Sequence, residues 1–344
     1  YLNMYDYVIV THLPAFYKVN LYNELTKKLN ILVVFIATNT NEKRADDFVS
    51  LENAKFKYKV LNDGDFQSRN IFENIKKLKK ILKDIKYEKL LVSGWDLKEF
   101  WYLIFSNFKS TNCLALESTI NESRVDSVRG LIKKIFLSRI SIVFASGDLH
   151  KQLLEALSYK GEIKITKGVG IINKPFYESL QREYKKRFLY IGRLSKVKNI
   201  EILIKIFNDL PKYSLTIVGS GEEKEHLKLM ARRNIIFKDP IENKKLKNEF
   251  LNNDILILSS ISESWGLVVE EALYFGLPVV ISENCGASEL IKNGFNGYVI
   301  NPNDENFIKD TILHIDAKTY GELCDGAKNF SIEEKDKNQV LKYV

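Results

Sequence analysis

Two glutamates lie in a segment whose pattern suits the recognition of a phosphorylated sugar. Glu263 follows the apolar run 255–258, which predicts a buried parallel strand. Glu271 lies inside the apolar, proline-free run 267–275, which predicts a helix that Gly266 would precede. A helix N-terminus attracts phosphate, and a carboxylate accepts both hydroxyls of a ribose diol. The segment therefore predicts a nucleotide-sugar site, and two solvated carboxylates at a helix cap are the alternative.

Basic residues follow another predicted strand, 188–191. Arg193 comes directly after it, and Lys198 lies at the start of the next predicted helix. A planar guanidinium and an ammonium at this spacing can clamp a diphosphate, although the same pattern is typical of a solvated surface. Gly219 ends the following strand and would let a nucleotide approach the backbone, but glycine is common in such turns.

The first half of the chain offers weaker candidates. Asp96 and Glu117 each follow a predicted strand, so both would lie at the carboxyl edge of a sheet. They could hold donor-sugar or acceptor hydroxyls, and capping of a helix or turn is the alternative. His12 could reach the same edge, or it is an ordinary loop residue.

Composition and charge limit the class of protein. The chain has 344 residues, 45% of them hydrophobic and 28% charged, which is typical of a globular protein of two domains. The net charge is +8, and the excess of cations falls in residues 1–175. A basic half can meet nucleic acid, anionic lipid or a phosphorylated acceptor. Aromatic residues suited to base stacking are not interleaved with the cations, so a membrane is favoured over nucleic acid.

Two amphipathic segments lie in this basic half, at 71–86 and 129–139. We interpret their apolar stripes as core-facing and their lysines and arginines as a source of reversible docking to an anionic membrane. No apolar run reaches the ~20 residues of a membrane span, and no signal peptide is evident. The odd number and wide spacing of Cys113, Cys285 and Cys324 predict reduced thiols in a cytoplasmic protein. The basic half predicts that this protein lies peripherally on the inner face of the cytoplasmic membrane.

Alternation of strand-like and helix-like segments predicts an α/β fold. The rhythm breaks at 167–186 and then restarts, which indicates two Rossmann-like domains, 1–172 and 173–344, that face each other across a cleft. We also expect the last helix to pack back on the N-terminal domain. The predicted strands are 7–11, 31–37, 90–93, 113–116, 142–145, 188–191, 214–218, 235–237, 255–258, 278–281 and 298–300. The predicted helices are 20–29, 71–86, 97–106, 129–139, 149–157, 200–208, 223–232, 244–251, 266–275 and 305–315.

Taken together, four motifs in this order and spacing resemble the retaining glycosyltransferases of family 4, which have the GT-B fold. The resemblance is strong over residues 187–303 and holds only in outline in the first half. The motifs that carry it are Gly192-Arg193-Leu194 with Lys198, Gly219-Ser220-Gly221, Glu263 with Glu271, and 285–289 with Asn296-Gly297.

The resemblance implies roles for these residues. Glu271 would bind the ribose hydroxyls, and Glu263 would hold hydroxyls of the donor sugar. The diphosphate would be bound by Arg193, Lys198 and the backbone amides of Gly266 and Leu267, while Ile241 would contact the base through its main chain.

The sequence departs from the family pattern at several positions. Asn199 replaces the usual glycine after the lysine, and Ser259 replaces the usual proline. In the first half, the usual glycine pair is missing from 11–18, and Ser93-Gly94-Trp95-Asp96 stands where a histidine motif is usual.

The resemblance also implies a mechanism and its substrates. A UDP-linked sugar would be the donor, and a glycan or a polyprenyl-diphosphate-linked saccharide of a bacterial surface polysaccharide would be the acceptor. The family retains the anomeric configuration, and no protein nucleophile is evident. This implies that the acceptor attacks from the same face that the diphosphate leaves. We expect no cofactor and no metal, because we identify no Asp-x-Asp motif of the metal-dependent kind. A nucleotide-sugar epimerase on the same fold and a non-catalytic nucleotide-sugar-binding protein are the alternatives.

Overall fold

The computed structural model describes residues 4–42, 45–179 and 181–344. Within these ranges, the chain folds into two compact units. Of the described residues, the first unit comprises 4–42, 47–171 and 336–344, and the second comprises 45–46, 172–179 and 181–335. Across the described ranges, no helix is both long enough and apolar enough to cross a membrane.

In the described part of the first unit, seven parallel strands form one sheet in the order β3-β2-β1-β4-β5-β6-β7. The strands are β1 (Met4–Thr11), β2 (Ile31–Phe35), β3 (Lys57–Val60), β4 (Lys86–Val92), β5 (Asn112–Leu116), β6 (Ile142–Ala145) and β7 (Glu162–Ile165). The connecting helices are α1 (Phe16–Leu25), α2 (Ile71–Lys83), α3 (Lys98–Ser106), α4 (Val128–Leu137) and α5 (Asp148–Ala156).

In the described part of the second unit, six parallel strands follow the order β10-β9-β8-β11-β12-β13. They are β8 (Arg187–Ile191), β9 (Ser214–Val218), β10 (Ile235–Lys238), β11 (Ile255–Leu258), β12 (Val279–Ser282) and β13 (Gly297–Ile300). The helices are α6 (Ile200–Asn208), α7 (Lys224–Met230), α8 (Lys247–Asn252), α9 (Val268–Tyr274), α10 (Glu305–His314) and α11 (Ala317–Asn329). The last helix, α12 (Ile332–Leu341), begins in the second unit, and its residues from 336 onward belong to the first.

Both sheets have the strand order of a Rossmann fold. The order reverses between β1 and β4 in the first unit and between β8 and β11 in the second. At such a switch point the crossover helices leave to opposite faces, and a crevice opens at the carboxyl ends of the strands. The predicted fold class, two Rossmann-like α/β units, is confirmed.

The core of the first unit includes a segment that is distant in sequence. Tyr343 stacks on Phe144 with ring centroids 4.3 Å apart, and Phe144 in turn contacts Tyr7 edge-on. Val340 is buried in the same cluster. The end of α12 and the residues after it therefore pack against the strands of the first unit.

Two strands were missing from the sequence prediction. The strands β3 and β7 lie at the two edges of the first sheet and read Lys-Tyr-Lys-Val and Glu-Ile-Lys-Ile. An edge strand exposes part of its surface, so charged residues alternate with apolar ones and the continuous apolar signal of a central strand is lost.

Some helix boundaries also differ. The predicted helix 20–29 is α1 and begins earlier, at Phe16, while the predicted helix 71–86 ends at Lys83 because Lys86 already opens β4. No bounds had been predicted for α11 or α12, whose charged sequences mask their buried positions.

The apolar stripes of the two amphipathic helices in the first unit differ in burial. Leu78 of α2 is fully buried, as expected of a core-facing stripe. The expectation is wrong for α4, where Leu131, Ile132 and Ile135 are exposed. This helix packs through a different face, on which Gly130, Phe136 and Leu137 are buried.

Candidate functional site

The loops that follow β8 and β11 place Lys198 and Glu263 in direct contact as an ion pair. Both side chains are largely withdrawn from solvent. The backbone beneath them is tied together, because the Ser259 hydroxyl donates to the Lys198 carbonyl (3.2 Å) and the Ile261 amide donates to the Val197 carbonyl (2.9 Å). The switch point of the second sheet therefore holds a cation and a carboxylate side by side.

The backbone conformation at position 199 explains why asparagine can replace the usual glycine there. Its φ is +54°, in the left-handed region where only glycine and, less readily, asparagine are comfortable. The side-chain amide of Asn199 donates to the Pro302 carbonyl at 2.8 Å, and the backbone carbonyl of Asn199 accepts from the Ser259 hydroxyl at 3.0 Å. The two departures from the family pattern thus support the same loop.

Gly219 is required by the packing of one backbone against another. A Cβ at this position would lie 1.9 Å from the carbonyl oxygen of Gly192, and φ is +154°. The loops after β8 and β9 are also joined by a hydrogen bond from Leu194 to Ser220 (2.8 Å). We predicted that Gly219 lets a nucleotide approach the backbone; in the structure it lets the loop that contains Gly192 pack against it.

The segment before α9 has the expected backbone. Gly266 has φ +94°, and Leu267 caps the seven-residue helix, which is shorter than predicted. The chain beside it is fixed by hydrogen bonds from Gly286 to the Glu263 carbonyl (3.0 Å) and from Ala287 to the Trp265 carbonyl (2.8 Å). The amides of Gly266 and Leu267 thus lie on a rigid turn.

Cys285 belongs to the same packed loop. Its thiol is fully buried, and burial, with a further contribution from the charge of Glu263, raises the pKa of Cys285 above its ordinary value. The thiol is therefore neutral, in agreement with a packing role.

Glu271 lines a cavity of about 260 Å³. Its carboxylate accepts a hydrogen bond from the Asn243 amide at 2.5 Å, and the Asn243 side-chain oxygen accepts from the Asn173 amide at 2.7 Å. Phe250 and Phe275 stack with centroids 5.2 Å apart on another wall of this cavity. Asn243 and Asn173 were not singled out from the sequence, because amides in loops carry no pattern that marks them.

A buried ion pair lies beneath this segment. Glu270 accepts from the Trp265 indole at 2.7 Å and from Lys335 at 2.5 Å, and both charged side chains are almost completely buried. No pattern in the sequence marks Lys335, which lies in a run of alternating charges. This pair anchors α9, and with it the turn that carries Gly266.

Arg193 and Ile241 lie at the periphery of the second unit's site. The Arg193 side chain is 60% exposed and lies 3.9 Å from a Glu222 oxygen. Ile241 is half-buried in the loop after β10. Nearby, the Lys224 ammonium holds the pKa of the Asp239 carboxyl below its ordinary value.

At the switch point of the first sheet, His12 and Asp96 form a hydrogen-bonded pair. His12 Nε2 lies 2.9 Å from Asp96 Oδ2, and the imidazole packs edge-on against Phe100, with centroids 5.1 Å apart. Desolvation raises the pKa of Asp96, but the hydrogen bond and the charge of His12 outweigh it, so the pKa is lowered. The structure thus joins two residues that the sequence offered separately.

Glu117 forms a second pair with Lys18 of α1, with 2.9 Å between nitrogen and oxygen. Lys18 is buried, which works to lower its pKa, but the adjacent Glu117 carboxylate outweighs burial and raises the pKa of Lys18. Lys18 is therefore charged, and its charge also contributes to lowering the pKa of Asp96. Four polar side chains from separate segments meet at one edge of the first sheet.

The chain contains one Asp-x-Asp sequence, Asp63-Gly64-Asp65, so the expectation that it has none was wrong. The motif lies in the turn after the edge strand β3, where both carboxylates are exposed and Asp63 accepts from the Thr38 hydroxyl at 3.2 Å. Within the described ranges, no three His, Cys, Asp or Glu side chains lie close enough together to hold a metal ion. Metal independence stays a prediction.

Comparisons with known proteins identify a family domain in the part of the chain that holds this site. The family model described as "Glycosyl transferases group 1" matches residues 174–323. The match contains both loops of the Lys198–Glu263 pair and the whole of α9.

Two relatives extend the similarity into the first half. The chain is 25% identical over 250 residues to a 41.2 kDa protein in the cps region of Klebsiella pneumoniae, over 72% of this chain and 64% of that relative. It is 29% identical over 241 residues to the O-antigen biosynthesis glycosyltransferase WbnH of Escherichia coli, over 67% of this chain and 68% of WbnH. The similarity thus spans about two thirds of the length of each relative.

A solved structure shares the fold over almost the entire length. Anabaena Alr3699/HepE, in complex with UDP, superposes with a TM-score of 0.75 at 14% identity, covering 96% of this chain and 97% of HepE. The second unit thus contains a group 1 glycosyltransferase domain at residues 174–323, and the chain shares the two-unit fold of GT-B enzymes.

Proposed function

We propose that this protein is a retaining glycosyltransferase that moves a sugar from a UDP-sugar to a glycan or lipid-linked saccharide in the assembly of a bacterial surface polysaccharide. The observation that carries the proposal is the Lys198–Glu263 pair at the switch point of a group 1 domain. A fixed cation and a fixed carboxylate at the carboxyl ends of parallel strands suit a diphosphate joined to a sugar.

On the donor side, Lys198 and Arg193 neutralise the departing diphosphate together with the Gly266 and Leu267 amides. Each preorganised donor aimed at developing charge lowers a barrier by roughly 3–4 kcal/mol. Glu263 holds hydroxyls of the donor sugar next to the same lysine. The leaving phosphate accepts the proton of the acceptor hydroxyl, which attacks on the face that the phosphate leaves.

Glu271 binds the ribose hydroxyls from its buried position, where Asn243 fixes the carboxylate. Ile241 contacts the base through its main chain. The choice of UDP is supported by the HepE complex, whose fold this chain shares. We propose that no metal and no cofactor take part.

The acceptor binds the first unit at the edge that carries Asp96 and Glu117. Asp96 is oriented by its hydrogen bond with His12, and Glu117 by its ion pair with Lys18. Each carboxylate can therefore accept from a sugar hydroxyl at a fixed place. The names of the relatives, one in a cps region and one in O-antigen biosynthesis, support a surface saccharide as acceptor. With a polyprenyl-linked acceptor, the enzyme acts at the cytoplasmic face of the membrane.

The proposal is tested first by donor binding. Nucleotide sugars are screened by thermal shift, and the best binder is followed for slow hydrolysis and for transfer to saccharide acceptors. We expect a UDP-sugar to give the largest shift and the anomeric configuration to be retained in the product. Binding of a different nucleotide class would overturn the donor assignment.

The site is tested by substitution. Arg193→Ala should reduce transfer by about 100-fold or more, the loss expected for one charge-stabilising contact. Glu271→Ala should reduce transfer by about 100-fold, because the ribose hydroxyls lose their charged hydrogen-bond acceptor. Glu283→Ala and Arg233→Ala, exposed residues of the same types in the same unit, are the controls. Full activity of either site variant would refute the site assignment.

The two alternatives give distinct results. An epimerase would convert the free donor to its epimer without any acceptor, which proton NMR of the nucleotide sugar detects. A binding protein without catalytic activity would show saturable binding and no turnover with any acceptor.

A further inference from the structure

The helix α4 presents an apolar stripe to solvent. Val128, Leu131, Ile132 and Ile135 recur at the spacing that places residues on one helical face, and their exposure lies between 44% and 74%. We call these four residues the α4 stripe. A globular protein seldom exposes four apolar side chains in a row on one helix unless something covers them.

The helix has no freedom to rotate and bury the stripe. On another face, a Cβ at Gly130 would lie 1.9 Å from the Val125 carbonyl oxygen, so the backbones touch. Near the other end, Phe136 is fully buried and packs edge-on against Trp101, with centroids 5.0 Å apart. Both ends of α4 are thus attached, and the stripe stays outside.

Two exposed aromatic residues lie in the segment next to the C-terminal end of α4. Phe108 is 82% exposed, and Phe105 is exposed although it stacks on Trp101. Arg139 connects this segment to α4, because its guanidinium lies 5.8 Å from the Phe105 ring and donates to the Asn107 carbonyl at 2.8 Å.

Cations flank the stripe. The ten residues of α4 include Arg129, Lys133 and Lys134 and no acidic residue. Lys133 lies over the Trp95 ring at 5.2 Å. Partial burial and, to a lesser degree, the charge of Arg129 lower the pKa of Lys133.

We infer that the α4 stripe, with Phe105 and Phe108, is the surface by which this protein docks on an anionic phospholipid bilayer. A helix with an apolar face bordered by lysine and arginine lies in the plane of the interface. Its apolar side chains enter the boundary between headgroups and acyl chains, and the cations meet the anionic headgroups. Charge complementarity selects this occupant, because a second copy of the chain would bring the same cations face to face.

The position of α4 adds a consequence that rests on the proposed function. The helix follows β5 and therefore starts from the edge of the sheet where Glu117 lies. Lys133 contacts Trp95, the neighbour of Asp96. A bilayer under α4 would thus present the headgroup of a lipid-linked acceptor beside the two carboxylates assigned to it.

The test uses the whole chain and vesicles of equal parts phosphatidylglycerol and phosphatidylcholine, compared with phosphatidylcholine alone. Co-sedimentation should show binding to the anionic vesicles that weakens as salt is raised. The double variant Leu131→Gln/Ile135→Gln should lower the partition coefficient at least about tenfold, since two of the apolar contacts are lost. Arg129→Gln/Lys134→Gln should remove the preference for anionic lipid.

The matched control is Leu229→Gln, which changes a leucine of the second unit that is 88% exposed. It should leave vesicle binding unchanged, and melting temperatures should show that all variants are folded. Equal binding of the wild type and the stripe variant would overturn the inference. So would a dimer in size-exclusion chromatography that the stripe variant dissociates, because the stripe would then be an interface between copies.

Failure of this inference is distinguishable from failure of the proposed function. Vesicle binding is measured without donor or acceptor, so it does not depend on catalysis. The stripe variant should retain donor hydrolysis and transfer to a water-soluble acceptor. If these activities are absent from every variant and from the wild type while vesicle binding persists, only the proposed function is refuted.

Discussion

The side-chain amide of Asn243 donates a hydrogen bond to the carboxylate of Glu271, with 2.5 Å between nitrogen and oxygen. Asn243 is in turn held by Asn173, so the carboxylate ends a short chain of amides. A carboxylate fixed in this way loses little freedom when it binds a diol. The geometry makes Asn243 a positioning residue for Glu271.

Asn243→Ala should weaken UDP binding by about 10-fold to 100-fold, because a hydrogen bond to a charged group contributes roughly 1.5–3 kcal/mol. Asn243→Asp should be worse at neutral pH, since it places a second carboxylate against Glu271, and it should improve as the pH falls. Isothermal titration calorimetry measures both effects. Asn303→Ala, in an exposed loop, is the control, and an unchanged Kd for both Asn243 variants would contradict the role.

Lys335→Met should destabilise the second unit by about 3–5 kcal/mol, because it leaves the Glu270 carboxylate buried without its cation. The double variant Glu270→Gln/Lys335→Met should recover most of that loss, since the glutamine can still accept from the Trp265 indole. Urea unfolding followed by tryptophan fluorescence gives the free energies. Lys337→Met on the same helix should change stability by less than about 0.5 kcal/mol. Equal stability of the single and double variants would show that the pair is not coupled.

Two glycines of α11 should respond to alanine in opposite directions. A Cβ at Gly326 would lie 1.8 Å from the Phe295 carbonyl oxygen, whereas Gly321 faces open space. Gly326→Ala should therefore destabilise the second unit by about 1–3 kcal/mol or more. Gly321→Ala should stabilise it by about 0.5–1 kcal/mol, as alanine favours the helix. Thermal unfolding distinguishes them, and a shift of the same sign for both would contradict the packing of α11.

The His12–Asp96 pair should make stability depend on acid pH. A carboxyl whose pKa is lower in the folded state stabilises that state above its unfolded-state pKa. The contribution is lost as the pH falls through the folded-state pKa. The difference in unfolding free energy between the wild type and Asp96→Asn should thus shrink as the pH falls below about 5 and through the lowered pKa of Asp96. Denaturant titrations at several pH values measure it. His12→Gln, which removes the partner, should abolish most of this pH dependence, and a difference that stays constant with pH would disprove the coupling.

Chelation should leave glycosyl transfer unchanged. In our proposal the diphosphate is neutralised by Lys198, Arg193 and backbone amides, and the Asp63-Gly64-Asp65 turn takes no part. Enzyme treated with excess EDTA and freed of metal by dialysis should transfer at the untreated rate. The variant Asp63→Asn/Asp65→Asn should behave like the wild type. Loss of activity on chelation, with recovery on adding Mg²⁺ or Mn²⁺, would require a metal in the mechanism.

Central strands were the easiest elements to predict. The strands β6, β9 and β11 lie where their apolar runs placed them, because a strand covered on both faces must be apolar along its whole length. The edge strands β3 and β7 could not be found in this way. Their alternating charges are also typical of a loop.

The donor side of the candidate site was predictable in composition but not in geometry. The spacing singled out Lys198 and Glu263, and only the structure shows that they form an ion pair. Asn243 and Lys335 escaped notice, because a partner brought in by tertiary packing leaves no periodic trace in the sequence.

In the first unit, the sequence predicted individual site residues but not which residues form pairs. Asp96 and Glu117 were candidates because they follow strands, while Lys18 was not singled out. Its burial depends on a helix that begins earlier than predicted. The direction of the α4 stripe was also beyond the sequence, since apolar periodicity specifies a face and not what lies against it.

The stacking of Tyr343 on Phe144 has a consequence for how the protein is made. The sheet of the first unit leaves the ribosome early, but part of its core is supplied by residues 336–344, which are translated after the whole second unit. At roughly 5–20 residues per second, the nascent sheet waits about 10–30 s for that segment. During this interval the apolar surface around Phe144 is open to chaperones, so we expect the first unit to complete its core only after the second unit has been translated.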